Sequence, residues 1–390
     1  MNILVIGNGF DLAHGLPTKY GDFLNFVKAF QNIDDLSDDP KNEFYKYFSN
    51  IKNDRLNLYQ ELDELTTDNR WLRYFIRIYE DRANNGKEGW IDFECEISSI
   101  IQTLDAARLT LNEEFKEGKE TAQMKQWQLN ILCPILNVDG KIQDYRVRKF
   151  TKISIGTIKY HLYDDLNKLI RCLEIYLSDF ISFDKANAIK DIFDLKIDRV
   201  LSFNYTDTYK TIYDSPSSDV KYDYIHGRAN IDNNVTNCNL VLGIDEYLSE
   251  DSINSDNYFI QFKKFYQRIY KGTGCNYIDW INHMREINER LKKANPPTHN
   301  IYFYGHSLDV TDGDIIRQLI LAKGAKTTIF HHNKESLGCQ IANLVKVIGE
   351  NELIRRTYGS NRTIIFQQSS NETVQQKTAT PEGTAVCSQT

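Results

Sequence analysis

Four short segments of the chain combine small residues with side chains that can bind or activate a ligand. Each lies at the end of a predicted strand: Gly7–Asp11, Ser202–Asp207, Tyr224–Gly227 and Gly305–Asp309. Because the carboxyl ends of parallel strands line the ligand crevice of an α/β sheet, we expect the four segments to meet in one site.

The first segment has the pattern of a nucleotide-binding turn. A strand that ends in G-x-G and leads to a helix places backbone N–H groups beside a phosphate-sized space. A Cβ atom at either glycine would block the approach of a pyrophosphate. The whole segment is therefore predicted to bind the ligand: Gly7, Asn8, Gly9, Phe10 and Asp11. The alternative is a tight turn that only requires positive φ.

Two polar side chains are candidates for catalysis. The amide of Asn204 can both donate and accept, which suits a ribose hydroxyl or a water molecule. His226, at a strand end and followed by Gly227, can act as a general base near neutral pH. The non-catalytic alternatives are a turn or helix cap for the Asn204 segment and a structural role for His226.

The fourth segment is predicted to hold phosphate or ribose through backbone groups and a hydroxyl. Its candidate residues are Gly305, His306, Ser307 and Asp309. Asp312 is predicted to cap the next helix. Glu94 stands at another helix start, where a carboxylate suits the helix dipole. The alternative for Glu94 is a position facing the crevice.

The spacing of apolar residues predicts an α/β fold: a Rossmann-like parallel sheet with helices on both faces, plus a large helical insert. Beyond the first strand (residues 2–7), the predicted strands are Arg199–Phe203, Tyr222–His226, Asn239–Gly243, His299–Gly305, Lys326–His331 and Thr363–Phe366. The core is assigned to residues 1–33 and 195–366. The insert is assigned to 34–194 and is broken by Pro134 and the turn Asn137–Gly140. A disordered polar tail is assigned to 367–390.

Composition favours a soluble cytoplasmic protein. The first apolar run is short and carries no basic residues, and no window approaches the roughly 18 apolar residues of a membrane span. The net charge of −7 makes stable nucleic-acid binding an unfavoured function. The seven cysteines form no C-x-x-C pair, so we expect reduced thiols and no metal site.

The four segments, in this order, resemble the motifs of sirtuins. Gly7–Asp11, followed by Gly15-Leu16-Pro17, is similar to the sirtuin opening Gly-Ala-Gly-Ile-Ser and Gly-Ile-Pro, and His226-Gly227 matches the sirtuin His-Gly. The sharper resemblance is to the AbiH family of bacterial phage-defence proteins. Members open with Gly-Asn-Gly-Phe-Asp-Leu-x-x-Gly-Leu-Pro-Thr, as Gly7–Thr18 does here.

The resemblance implies an antiphage abortive-infection effector that hydrolyses NAD in a sirtuin-like pocket. Asn204 would orient the ribose or the attacking water, and His226 would act as base or hydroxyl partner. NAD would be the substrate or ligand, with no metal. The expected partners are this nucleotide and either further copies of the chain or a regulatory defence protein, with no membrane contact. The Cys-x-x-Cys pairs of the sirtuin zinc ribbon are missing, so protein deacylation is not expected.

Two other functions stay open at this point. The same pocket could belong to a non-catalytic module that senses a nucleotide or ADP-ribose. A nucleic-acid-targeting effector is the third possibility, which the acidic charge and the lack of a paired-carboxylate metal motif disfavour.

Overall fold

The centre of the protein is a six-stranded parallel sheet. The computed structural model describes residues 1–36, 39–86, 91–117, 121–136, 146–148, 155–244, 257–290, 299–360, 362–370 and 372–374. The strands of the sheet are β1 (Asn2–Ile6), β2 (Arg199–Ser202), β3 (Lys221–Tyr224), β4 (His299–Tyr304), β5 (Ala325–His331) and β6 (Ile364–Gln368). All neighbouring pairs are parallel.

The strand order is β3-β2-β1-β4-β5-β6. This is the order of dinucleotide-binding Rossmann folds, in which the direction of strand addition reverses between β1 and β4. The predicted fold class is therefore confirmed.

Both faces of the sheet are covered, as predicted. Ile3 and Val5 point into an apolar cluster on one face, and Leu4 and Ile6 into a cluster on the other. This alternation follows from the two-residue period of a strand. The first face packs against the helices Tyr277–Arg290, Gly313–Ile320, Lys334–Ile348 and Glu350–Thr357, and the second against Asn8–Ala13, Lys190–Phe193 and Thr208–Tyr213.

The region between β1 and β2 is mainly helical. Its helices are Tyr20–Gln31, Glu43–Asp54, Leu56–Thr66, Arg70–Asn84, Phe93–Lys116, Gln126–Leu136 and Ile155–Ile175, the last continued by a π-helical turn at Tyr176–Phe180. Two short antiparallel pairs lie outside the main sheet: Thr121–Gln123 with Arg146–Arg148, and Ala188–Ile189 with Thr373–Val374. Among the described residues, no helix is both long and apolar enough to cross a membrane.

The sequence predicts that Pro134 and a turn at residues 137–140 break the helical region. Pro134 itself lies inside the helix Gln126–Leu136, which ends between these two positions. It stands in the last turn, where its missing N–H removes one hydrogen bond and the helix ends two residues later. The predicted turn at residues 137–140 lies outside the described residues.

The insert shares its hydrophobic core with parts of the Rossmann region. Phe23 and Phe26, in the helix assigned to the core, join the same buried cluster as Trp71 and Leu166 of the insert. Leu240 and Leu242 also belong to this cluster. The insert is therefore packed onto the core as one apolar unit.

Two sequence predictions near the carboxyl end of the core need correction. Asn239–Gly243 is no strand: the side chain of Gln267 bonds the N–H and the carbonyl oxygen of Leu242 (3.1 and 3.0 Å), taking the place of a neighbouring strand. The predicted disordered tail is wrong at its start, because β6 runs to Gln368 and Thr373–Val374 is paired. Residues 375–390 lie outside the described residues.

Candidate functional site

A cavity of about 870 Å³ lies at the carboxyl ends of β1 to β4, where the strand order reverses. Its volume falls in the range of small-molecule sites, roughly 300–1,000 Å³. Ten of the eleven predicted site residues line it: Gly7, Asn8, Gly9, Asp11, Asn204, His226, Gly305, His306, Ser307 and Asp309. The strand ends thus bring the four segments together, as their position in a parallel sheet predicts.

Phe10 is the exception and lies outside the cavity wall. Its side chain is fully buried in the apolar cluster beneath the sheet edge. Its ring packs 4.4 Å from that of His14 and meets the ring of Tyr304 edge-on at 5.8 Å. Contrary to prediction, this residue has a packing role, because the short helix Asn8–Ala13 turns it toward the core.

The glycines of the first and fourth segments lock two loops together. The Gly9 N–H donates to the Gly305 carbonyl oxygen at 2.9 Å. A Cβ atom at Gly9 would lie 2.8 Å from the Gly305 Cα atom, and one at Gly305, whose φ is +67°, would lie 2.0 Å from the Phe10 nitrogen. Glycine is therefore required for loop-to-loop packing and positive φ, and not for the pyrophosphate approach that the sequence predicts.

Three N–H groups of this turn, those of Gly7, Gly9 and Phe10, form hydrogen bonds within the protein. Gly7 donates to the Tyr304 carbonyl oxygen at 3.2 Å, Gly9 to Gly305, and Phe10 back to Gly7 at 2.8 Å. The predicted phosphate cradle therefore cannot use these three groups. Asn8, Lys19 and Ser307 line the cavity near this turn and have exposed polar side chains.

His226 belongs to a charged network on the floor of the cavity. Its Nε2 atom lies 3.2 Å from Oδ1 of Asp312. The same oxygen is 3.7 Å from Nζ of Lys264, which also pairs with Oε2 of Glu94 at 2.7 Å. The Lys264 side chain is only 4% exposed. A single buried ammonium thus joins a carboxylate of the insert to a carboxylate of the Rossmann core.

The network shifts the acidity of its members in opposite directions. Burial alone would raise the pKa of Asp312, but the Lys264 ammonium and the hydrogen bond with His226 lower it far below its usual range. Burial raises the pKa of Glu94, and Lys264 offsets this only in part. Burial also lowers the pKa of His306 to about 4, so this imidazole is neutral at physiological pH.

Asp11 is another buried carboxylate on the cavity wall. It is 1% exposed, and its Oδ2 atom accepts a hydrogen bond from Thr206 Oγ1 at 2.5 Å. Burial raises its pKa to about 6, although Thr206, Thr208 and Asn204 all act to lower it. Carboxyl groups with raised pKa in a cleft are common at functional sites.

Asn204 and His226 each keep one nitrogen without a partner. Both side chains are buried, and neither Nδ2 of Asn204 nor Nδ1 of His226 makes a hydrogen bond to any described residue. The Asn204 amide faces Asp11 closely enough to lower its pKa without forming a bond of ordinary geometry. Buried polar atoms are normally satisfied, so unpartnered ones in a cavity mark places where a ligand or ordered water bonds.

Three members of the charged network around His226 are not among the predicted site residues. Asp312 does stand at the start of the helix Gly313–Ile320, but its side chain makes no cap bond and turns to His226. Glu94 faces the cavity, the alternative that the sequence left open. Lys264 lies on a helix whose polar face, Lys264 and Gln267, is buried. That inversion is invisible in the sequence, because helical spacing shows two faces without showing which is inside.

The chain matches the family model for bacteriophage abortive infection AbiH over residues 3–331. The match covers most of the 390 residues. The protein belongs to the AbiH family. Its biological setting is therefore phage defence by abortive infection. All residues that line the cavity, from Gly7 to Asp312, lie within the matched region. A search of curated proteins gave no match.

Proposed function

We propose that this AbiH protein acts in phage defence by hydrolysing the N-glycosidic bond between nicotinamide and ribose in NAD. The proposal rests on one observation: Asn204 and His226, at the ends of neighbouring strands, each place in the cavity a side-chain nitrogen that has no hydrogen-bond partner among the described residues. A bound ribose or attacking water has the hydroxyl groups to satisfy both.

The charges around the cavity suit this reaction. Among the described residues, the carboxylate and ammonium groups on its wall are five carboxylates, Asp11, Asp92, Glu94, Asp309 and Asp312, and two lysines, Lys19 and Lys264. Cleavage of the glycosidic bond passes through a ribosyl group with oxocarbenium-like positive charge. Carboxylates held in fixed positions beside the reacting ribose stabilise such a developing cation. The excess of negative charge repels the phosphates of NAD, which would therefore lie at the rim beside Lys19.

Asn204 and His226 have different roles in this reaction. Asn204 orients the ribose or the water, and His226 accepts the proton of the water that attacks the anomeric carbon. The C–N bond breaks as the C–O bond forms, and its electron pair leaves with nicotinamide. NAD and water thus give nicotinamide, ADP-ribose and a proton.

The test is to incubate purified protein with NAD, with and without lysate of phage-infected cells, and to measure nicotinamide and ADP-ribose by chromatography. Asn204→Ala and His226→Ala are compared with Asn53→Ala and His161→Ala, which change exposed residues of insert helices. We expect release by the wild type and the two controls, and at least a 100-fold loss in the site variants.

Other outcomes overturn the proposal. NAD that binds without turnover under every condition would make the protein a nucleotide-sensing module. Turnover that survives both site substitutions would place the chemistry elsewhere. Neither binding nor turnover would remove NAD as the ligand.

A further inference from the structure

We propose that Asp312 is the positioning residue for His226, fixing its imidazole with the proton on Nε2 and leaving Nδ1 as the nitrogen that accepts a proton. The inference rests on the proposed function for the catalytic use of His226. The tautomer itself follows from the geometry and can be tested without any activity.

The contact between His226 and Asp312 determines which atom carries the proton. Nε2 of His226 lies 3.2 Å from Oδ1 of Asp312. An ionised carboxylate only accepts hydrogen bonds, so the imidazole nitrogen must be the donor. In a neutral ring the proton is then on Nε2, and Nδ1 carries the lone pair. No described residue donates to that Nδ1 atom.

The ammonium of Lys264 keeps Asp312 ionised. Nζ of Lys264 lies 3.7 Å from the same oxygen, and both side chains are largely shielded from water, with 4% and 13% exposure. An ammonium at this distance in a poorly solvated site strongly favours the charged carboxylate. Glu94, at 2.7 Å from the ammonium, in turn holds Lys264 in place.

His306 lies beside the other oxygen of the Asp312 carboxylate. Its Nδ1 atom accepts a hydrogen bond from the Leu308 N–H at 2.9 Å, so the proton of this neutral ring is on Nε2. That Nε2 atom lies 3.9 Å from Oδ2 of Asp312. The ring of Phe203 packs against both imidazoles, with centroids 5.6 and 4.4 Å away. Asp312 therefore faces one imidazole with each oxygen and has little freedom to rotate.

The main chain at His226 is held in place, so the residue moves mainly by rotation of its side chain. The Val241 N–H donates to the His226 carbonyl oxygen at 2.8 Å. Gly227, with φ +84°, packs so closely that a Cβ atom there would lie 2.2 Å from the Asn239 oxygen. Because the main chain is held on both sides, the contact with Asp312 determines the orientation of the ring, with Nε2 toward Asp312 and Nδ1 away from it. This is the arrangement in which a carboxylate orients a catalytic imidazole.

The experiment is nitrogen-15 NMR of protein labelled at histidine rings, in mildly alkaline buffer where free imidazoles are neutral. His226→Gln identifies the His226 signals by their loss. We expect the wild type to show a protonated Nε2 and an unprotonated Nδ1. Asp312→Asn should abolish that preference, because an amide can donate as well as accept. Asp314→Asn is the matched control: this residue is 58% exposed, two positions along, and lies 3.4 Å from Arg268.

The wild-type spectrum alone can overturn the proposal, whether or not the variant folds: a proton on Nδ1 of His226 would do so. An unchanged tautomer in a folded Asp312→Asn protein would also contradict it. If the wild type hydrolyses NAD, Asp312→Asn should lower kcat by about 10²- to 10⁴-fold with little change in KM. If no hydrolysis is found, the proposed function fails while the tautomer result stands by itself.

Discussion

Substitution of Asp11 by asparagine should make the fold more stable at neutral pH. The carboxylate is 1% exposed and, among the described residues, its Oδ1 atom has no hydrogen-bond partner. Asparagine has nearly the same shape and carries no charge, so it avoids the cost of burying an ionised group.

The magnitude follows from the pKa of Asp11, which burial raises from 3.8 to about 6. This shift corresponds to about 3 kcal/mol between the protonated and ionised forms of the folded state. For a chain of 390 residues, a difference of that size changes Tm by about 4 °C.

The sign depends on which state binds the proton more tightly. Between about pH 4 and pH 6 the folded protein holds a proton on Asp11 that the unfolded chain has lost. The stabilising effect of this proton is complete below pH 4 and is lost as the pH rises through about 6. The Tm of Asp11→Asn relative to wild type should therefore increase over that interval and level off above it.

The assay is thermal unfolding of both proteins from pH 4 to 8, read as the difference in Tm at each pH, so that titration of other groups cancels. Asp214→Asn is the opposite control. Hydrogen bonds from Ser218 and Tyr222 outweigh partial burial and lower the pKa of Asp214, so that variant should lose stability chiefly above pH 4. A Tm difference for Asp11→Asn that stays constant from pH 4 to 8 would refute the raised pKa.

Two further substitutions test the packing and charge arguments. Gly9→Ala should cost about 1–3 kcal/mol and weaken ligand binding, because the new Cβ meets the Gly305 backbone at 2.8 Å; Gly338→Ala, which has open space, is the control in urea unfolding and should not destabilise. Lys264→Met should cost about 3 kcal/mol by leaving the Glu94 carboxylate unpaired. Adding Glu94→Gln should recover part of that loss, and a double variant no more stable than the single one would contradict the ion-pair argument.

The sequence was sufficient to predict the location of the site, for a physical reason. Gly7, Asn204, His226 and Gly305 each follow an apolar run, and parallel strands place their carboxyl ends at one edge. The prediction did not require the strand order, which tertiary pairing decides. It failed for Phe10, because sequence adjacency does not reveal which way the residues of a single helical turn point.

The residues that the sequence could not reveal reach the site through contacts between distant elements. Lys264 is 170 positions from Glu94 and 48 from Asp312, and its helix buries the polar face while Ile269 is 78% exposed. Asp312 carries the local signal of a helix cap, which is the commoner role for an aspartate at that position. Only the packed structure shows that it turns away from its own helix toward His226.

The insert is part of the site, and an aromatic stack explains how its position is fixed. Phe93, next to Glu94, stacks on Tyr20 and on Phe75, with both centroids at 4.1 Å and planes within 11°. Tyr20 follows the glycine turn of β1 and interacts with the hydroxyl of Tyr205, which follows β2. The start of the helix Phe93–Lys116 is thereby held against two strand ends of the Rossmann core. A movement of that helix would carry Glu94 away from Lys264 and change the electrostatic field at Asp312, so the insert and the His226 imidazole are electrostatically coupled.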